Sequence, residues 1–286
     1  MVSSYRPMRE EDVPEVNEVS LRAFGDLARR QGYEDVPPPP VAAAHARLRR
    51  VLATDPGGAW VAERGGAIAG AALGLVREGL WGLSLLVVDP RAQSAGAGRE
   101  LLARARAHGD GARGHVILSS TDPRSMRAYA RLGLDAHPCL AANGRPTGVA
   151  TPPGVREGGA ADLPLTERVD RAVRGAAHGA DLETMREGGA TLLVLPERGY
   201  AMVSGGRIRV CAAFDDVGAS TVLRGALAHV AAAGDHARVE WLSARQQWAI
   251  GVCLDARLEL DASEGCVFTG GDVGPFSPYL PSGAYL

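Results

Sequence analysis

The stretch Val87-Val88-Asp89-Pro90-Arg91-Ala92-Gln93-Ser94-Ala95-Gly96-Ala97-Gly98 runs straight into Arg99-Glu100-Leu101-Leu102. The apolar run Leu83 to Val88 reads as a central strand buried on both faces, and it enters a loop of small residues that opens a helix, Arg99 to His108. The first N–H groups of a helix have no internal acceptor, and the helix dipole places partial positive charge beside them. Gly96, Ala97 and Gly98 let a diphosphate approach that backbone closely. Arg91 and Arg99 can add charge-assisted contacts. A tight turn would also explain a lone Gly-x-Gly, but strand, spacing and helix together favour phosphate binding. The loop has no Gly-Lys-Ser/Thr, so it is not a Walker loop. It lacks Gly-x-Gly-x-x-Gly and does not follow the first strand, so it is not a dinucleotide fingerprint either.

Upstream, Tyr5 to Arg9 reads as a strand, followed by a helix that starts at Glu10-Glu11-Asp12 and Pro14. Val13, Val16, Val19, Leu21 and Phe24 are expected to form its buried face. Gly32 to Pro40 breaks that helix, and a second runs from Val41 to Ala53. Ala59 to Glu63 and Ala67 to Val76 flank Gly65-Gly66 as a hairpin. Downstream, Val116 to Ser119 is a strand, and Asp122-Pro123 opens a short helix that Gly133 closes. The segment Ala141 to Gly154 is rich in Gly, Pro and small residues and reads as a linker.

The second half repeats this outline. Val155-Arg156-Glu157 and Asp162-Leu163-Pro164 echo Met8-Arg9-Glu10 and Asp12-Val13-Pro14. Leu192 to Leu195, Arg198-Gly199 and Arg207 to Phe214 read as paired strands, and Asp215 to Ser220 precedes another helix. Two tandem domains follow: residues 1–141, a linker 142–154 and residues 155–286. The tail Pro275 to Leu286 is expected to pack on the body as an irregular strand.

The 286 residues are 46 % hydrophobic and 22 % charged, with a net charge of −2, so composition marks neither a nucleic-acid binder nor a membrane-surface protein. No apolar run is long enough to span a bilayer, and the first residues form no signal core. A soluble cytoplasmic protein is expected. All 31 basic residues are arginine, which excludes lysine nucleophiles and Schiff bases. Cys139, Cys211, Cys253 and Cys266 have no metal-ligand spacing, and seven histidines are dispersed, so no metal site is expected.

Gln93-x-x-Gly96-x-Gly98 resembles the pyrophosphate loop of the GNAT superfamily of N-acetyltransferases. Downstream, Asp122-x-x-Ser125-x-x-Ala128-Tyr129-Ala130-Arg131-Leu132-Gly133-Leu134 resembles that family's second motif, Asn-x-x-Ala-x-x-Phe-Tyr-x-x-x-Gly-Phe, keeping the tyrosine and the glycine. The resemblance covers Tyr5 to Pro138. It implies an α/β (α+β) fold of two tandem GNAT-like domains, each a mixed, mostly antiparallel central sheet flanked by helices. It also implies acetyl-CoA as co-substrate, with pantetheine inserted between Leu85–Val88 and Val116–Ser120. The implied cofactor contacts are Leu86, Val87, Val88, Gln93, Ser94, Ala95, Gly96, Ala97, Gly98, Arg99, Asp122 and Tyr129.

In the implied mechanism an N–H near Val87 or Val88 polarises the thioester, a neutral amine attacks directly, and Tyr129 donates to the departing thiolate. A core aromatic is the alternative reading of Tyr129. No glutamate stands in Leu83-Ser84-Leu85-Leu86, so Glu78 is the first candidate base, ahead of Asp26, Glu34 and Asp35. Phe24, Trp81 and Ser84 are the expected acceptor contacts.

In the second half Asp215 aligns with Gln93 and Gly218 with Gly96, and two adjacent carboxylates, Asp215 and Asp216, would repel a diphosphate. No tyrosine lies between Thr221 and Pro278, Cys253 being the nearest aligned polar residue, so this half is expected to be a degenerate copy without a cofactor loop. The expected function is acetyl transfer to a primary amine of a small molecule by a monomer or homodimer. The alternative is a non-catalytic acyl-CoA-binding regulatory module.

Overall fold

A computed structural model describes residues 4–32, 40–93 and 96–285. The chain divides into two compact units, Met1–Ala112 and Arg113–Leu286. The first contains β1 (Ser4–Pro7), α1 (Val13–Gln31), α2 (Val41–Thr54), β2 (Ala59–Arg64), β3 (Ala67–Arg77), β4 (Leu80–Val88) and α3 (Ala97–Ala107). Its strands pair antiparallel in the order β1-β2-β3-β4. One sheet face sets Val61, Ala71, Leu73, Leu75, Leu85 and Val87 against Val13, Val16 and Val19 of α1 and Leu48 and Val51 of α2. The buried stripe of α1 also takes in Asn17, Ser20 and Ala23. Leu21 and Phe24, expected on that stripe, are instead 41 % and 53 % exposed. At 100° per residue Leu21 falls outside the arc spanned by Val13, Asn17, Ser20 and Ala23, whereas Phe24 falls within it, one turn beyond Ser20, and is exposed because the covered stripe ends at Ala23.

The second unit contains β5 (Gly114–Ser119), α4 (Pro123–Ala130), β6 (Asp135–Gly144), β7 (Arg156–Glu157), α5 (Leu163–Arg174), α6 (Ala180–Glu187) and β8 (Thr191–Leu195). It continues with β9 (Gly199–Ser204), β10 (Arg207–Ala213), α7 (Asp216–Ala232), β11 (Ala237–Leu242), α8 (Gln247–Asp255), β12 (Glu259–Gly271) and β13 (Tyr279–Leu280). Its strand order is β5-β12-β6-β11-β10-β9-β8-β7, with β13 on β10. β10 and β11 run parallel and the other pairs antiparallel. Val222, Leu223, Ala226, Leu227 and Val230 of α7 and Val252 of α8 fill its core.

The repeat is visible in atomic detail. Arg6 clamps Asp12 through two hydrogen bonds of 2.7 and 2.8 Å, and the Arg9 N–H donates to the same carboxylate at 2.7 Å. Arg156 clamps Asp162 at 3.0 and 2.7 Å, and the Gly159 N–H donates to it at 2.9 Å. Each aspartate stands at the head of a helix with proline in its first turn. The true offset is therefore 150 residues, pairing Arg156 with Arg6; the alignment of Arg156 with Arg9 is three residues out.

The last strands of the two halves are exchanged. β12 pairs with β5 from the first half as well as with β6, and β6 pairs with β11 from the second half. The break between units accordingly falls after Ala112, not at 142–154. The expected linker begins inside β6, whose Ala141 and Ala142 are buried between β12 and β11. The Asp215–Ser220 loop also needs correcting, because α7 already begins at Asp216. Among the described residues no helix is long and apolar enough to cross a membrane.

Candidate active site

β4 carries an irregularity at its centre. Leu73 pairs with Leu85 and Gly74 with Leu83, so Ser84 is the extra residue of a bulge. A bulge breaks the ladder locally, and Arg47 of α2 engages the group it releases. The Arg47 guanidinium donates to the Ser84 hydroxyl at 2.9 Å and to the Ser84 carbonyl at 3.3 Å. Ser84 is buried by this arrangement.

The loop after β4 is rooted by Asp89, which is buried. The backbone N–H of Arg91 donates to it at 3.0 Å, the Arg91 side chain at 2.9 and 2.8 Å, and Arg22 of α1 at 2.9 Å. The Arg91 hydrogen bonds hold the Asp89 carboxyl well below the usual carboxylate range, with Arg22 assisting. Arg91 is thus committed to Asp89 rather than standing ready for a phosphate. Gln93 turns back, donating from Nε2 to the Val88 carbonyl at 3.1 Å.

Gly96 is the N-cap of α3, with φ +82°, a left-handed conformation that glycine adopts without Cβ strain. Among the described residues, a Cβ built there meets no atom within 4 Å. Among the described residues no side chain caps α3, and the first helical bond runs from the Glu100 N–H to the Gly96 carbonyl at 3.2 Å. The N–H groups of Ala97, Gly98 and Arg99 precede that bond, as an anion at a helix start requires. Arg99 is exposed beside them. Ser94 and Ala95 lie outside the described residues, as do Glu34 and Asp35.

Two of the expected acceptor and base residues are relocated. Trp81 is fully buried, and its indole N–H donates to the Ala105 carbonyl at 3.1 Å. A Cβ on Gly109 would come within 2.4 Å of its ring, so the indole fills the space that glycine leaves. It is therefore a core residue, not a substrate contact. Glu78 is exposed in the turn between β3 and β4 with φ +46°. Gly79 of the turn and the four strand residues Leu80 to Leu83 separate it from the Ser84 bulge, a rise of about 13 Å along β4, which keeps its carboxylate out of contact with that bulge. Phe24 stays exposed on α1, and Asp26 is held by Arg30 at 2.8 Å.

In the second unit Asp122 caps α4. Oδ1 accepts the Arg124 N–H at 2.8 Å and Nε–H at 3.0 Å, and Oδ2 accepts from the guanidinium at 2.6 Å. Its oxygens are engaged in capping. Tyr129 is buried, with its ring edge-on to Phe268 of β12 at 5.6 Å between centroids. Burial pushes its phenol well above the ordinary tyrosine range despite a hydrogen bond with Ser125. The sequence reading missed Asp89, although Asp89-Pro90-Arg91 and Asp122-Pro123-Arg124 are the same tripeptide, and both form this self-capping turn.

Residues 21–134 match the family model for the acetyltransferase (GNAT) family. They are a GNAT-family domain. A candidate acetyltransferase from Pyrococcus horikoshii is similar over 99 % of this chain and 94 % of its own, with a TM-score of 0.78 at 16 % identity. A tandem GNAT protein from the clavulanic acid biosynthesis pathway covers 94 % of this chain and 98 % of its own, with a TM-score of 0.60 at 15 % identity. A GCN5-related N-acetyltransferase from Sphaerobacter thermophilus covers 94 % and 96 %, with a TM-score of 0.59 at 15 % identity. These likenesses establish the fold, a tandem GNAT arrangement. No curated protein matches the sequence.

The second repeat starts its corresponding helix differently from the first. Only Phe214 and Asp215 separate β10 from α7, against eight residues between β4 and α3. Asp215 caps α7, accepting the Gly218 N–H at 2.7 Å, and is itself clamped by Arg198 at 2.9 and 2.7 Å. That hydrogen bond, with Arg198, holds its carboxyl below the usual range. Cys253 is buried and its thiol is pushed up to about 12, so it supplies no thiolate.

Proposed function

We propose that this GNAT protein is an acetyl-CoA-dependent N-acetyltransferase that acetylates a primary amine of a small-molecule acceptor, using the first copy alone. The observation that carries this reading is the contrast between two helix starts: α3 opens at Gly96 with no capping side chain among the described residues, while α7 is closed by its own Asp215. The diphosphate lies on the N–H groups of Ala97, Gly98 and Arg99, with Arg99 adding charge. Leu86, Val87 and Val88 offer backbone to the pantetheine arm and thioester carbonyl. A neutral amine attacks directly, and Tyr129, protonated at any physiological pH because of its burial, donates to the leaving thiolate. Phe24 and the Ser84–Arg47 pair border the acceptor.

The test is thiol release from acetyl-CoA across a panel of small amines. Amine-dependent release supports the reading, and binding of acetyl-CoA without release from any amine supports a non-catalytic acyl-CoA-binding module. The tight packing of Tyr129 on Phe268 favours that second reading, since it also suits a purely structural ring.

A further inference from the structure

β10 and β11 pair in parallel at Arg207–Arg238 and Ile208–Val239. Farther along, β10 has a different neighbour: Cys211 pairs with Leu280 and Ala212 with Tyr279, antiparallel, and the Ala213 N–H donates to the Pro278 carbonyl at 3.4 Å. The C-terminal strand β13 is therefore laid on β10 past its pairing with β11, and it packs against β11 as well. A Cβ on Gly283, just beyond β13, would stand 3.6 Å from the ring of Trp241 on β11.

The seat is built on every side. Gln246, almost fully buried, donates from Nε2 to the carbonyls of Phe276 and Tyr279, both at 3.1 Å. Its Oε1 accepts from the Ser243 N–H and hydroxyl, so the whole amide is engaged. The Phe276 N–H donates to the Val173 carbonyl at 2.7 Å, and the Ser277 hydroxyl to the Arg245 carbonyl at 3.1 Å. Adjacent side chains of a strand point to opposite faces. The Tyr279 hydroxyl accordingly donates to Nε2 of His178 at 3.2 Å, while Leu280 enters the core under α7 and α8.

By the internal repeat, β10 and β11 correspond to β4 and β5, the strands that receive pantetheine in the first copy on the reading above. Pantetheine is an extended chain carrying two amides, and a peptide strand offers the same groups to a strand edge. We propose that the C-terminal segment is the resident ligand of the second copy's cofactor slot, a tethered peptide seated where the first copy takes pantetheine. The inference rests on the acetyl-CoA reading only for the identity of the slot. Its consequence is that the second copy is closed to acyl-CoA in the intact chain.

The test starts from folded protein carrying a site-specific protease sequence after Asp272, which is exposed. After cleavage, segment 273–286 is expected to co-elute with the body in gel filtration. Once it is washed away in mild denaturant, a labelled synthetic 273–286 peptide is expected to rebind one to one. Gln246→Ala should weaken rebinding at least tenfold, and Tyr279→Phe by a smaller factor. The inference is overturned if the cut segment separates while the amides of 210–213 keep their protection from hydrogen exchange. Equal rebinding by Gln246→Ala, or two equivalents of acetyl-CoA bound by the intact chain, would also overturn it. The peptide assay contains no acetyl-CoA, so a chain that rebinds its tail but takes up no acetyl-CoA keeps this inference and loses the acetyltransferase reading.

Discussion

The Asp215 carboxylate accepts the Gly218 N–H at 2.7 Å, closing in the second copy the helix start that, among the described residues, Gly96 leaves without a capping side chain in the first. A carboxylate at a helix N-terminus satisfies orphan donors and opposes the dipole. It thereby occupies the position an external phosphate would take.

Asp215→Ala should therefore cost stability without creating a cofactor site. The expected loss is about 1 kcal/mol, the usual value of an N-cap. Denaturant unfolding checks the stability, and calorimetry checks that acetyl-CoA stoichiometry is unchanged. A gain of a second equivalent would show that Asp215 alone keeps the second copy empty.

Trp81→Ala should behave as a core deletion. The indole is fully buried and hydrogen-bonded to Ala105, so a loss of roughly 3–5 kcal/mol is expected. Trp81→Phe should lose less and keep its acceptor KM. A changed acceptor preference in a stably folded Trp81→Phe protein would put the ring back at the substrate.

The sequence disclosed what local chemistry determines. Asp122-Pro123 capped its helix as read, Gly65-Gly66 turned its hairpin, and Leu83 to Val88 lay in the core strand. It did not disclose what distant pairing determines. Nothing near Phe268 signals that β12 lies against β5 and backs Tyr129, because strand exchange leaves no local periodicity. Trp81 and Glu78 were misplaced for a related reason: cross-strand pairing and turn position fix their surroundings, and neither is written in the neighbouring residues. Arg47 was legible only as one of several arginines on a helix, since its partner is a bulge carbonyl 37 residues away.

Tyr129→Phe separates catalysis from packing. The phenyl ring keeps the edge contact with Phe268, so the melting temperature should change little. An enzyme should lose about 10²-fold in kcat, with its acetyl-CoA KM within about twofold. Because burial raises the phenol well above 10, the wild-type rate should show no fall from Tyr129 ionisation below about pH 10. An unchanged kcat would assign Tyr129 to the core alone.

Acid should loosen the second copy at the tail anchor. Asp170 accepts from the backbone and Nδ1 of buried His178 and from Tyr200, while Tyr279 donates to Nε2 of the same imidazole. Burial, assisted by Arg174, holds His178 below its ordinary 6.5, although Asp170 and Asp181 oppose the shift. Burial alone would raise Asp170, but His178, Arg174 and Tyr200 outweigh it and hold the carboxyl low. The unfolded chain therefore binds more protons than the folded one as pH falls. The stability from His178 is present above about pH 6.5 and lost on descending through it, and that from Asp170 is lost at lower pH. Melting temperatures at pH 8, 6.5 and 5 should decline in that order, with a shallower decline in His178→Gln. A rise toward pH 5 would contradict a neutral buried imidazole.

The central claim is that the first copy alone seats acetyl-CoA on the N-terminus of α3, and calorimetric titration of the wild type and Gly96→Glu tests it most directly. At φ +82° the substitution strains the backbone by roughly 1–2 kcal/mol, but its Cβ meets no atom within 4 Å among the described residues, so the variant should fold. One equivalent bound by the wild type and none by the variant is the expected result. No binding by the wild type, or equal binding by Gly96→Glu, would contradict the claim.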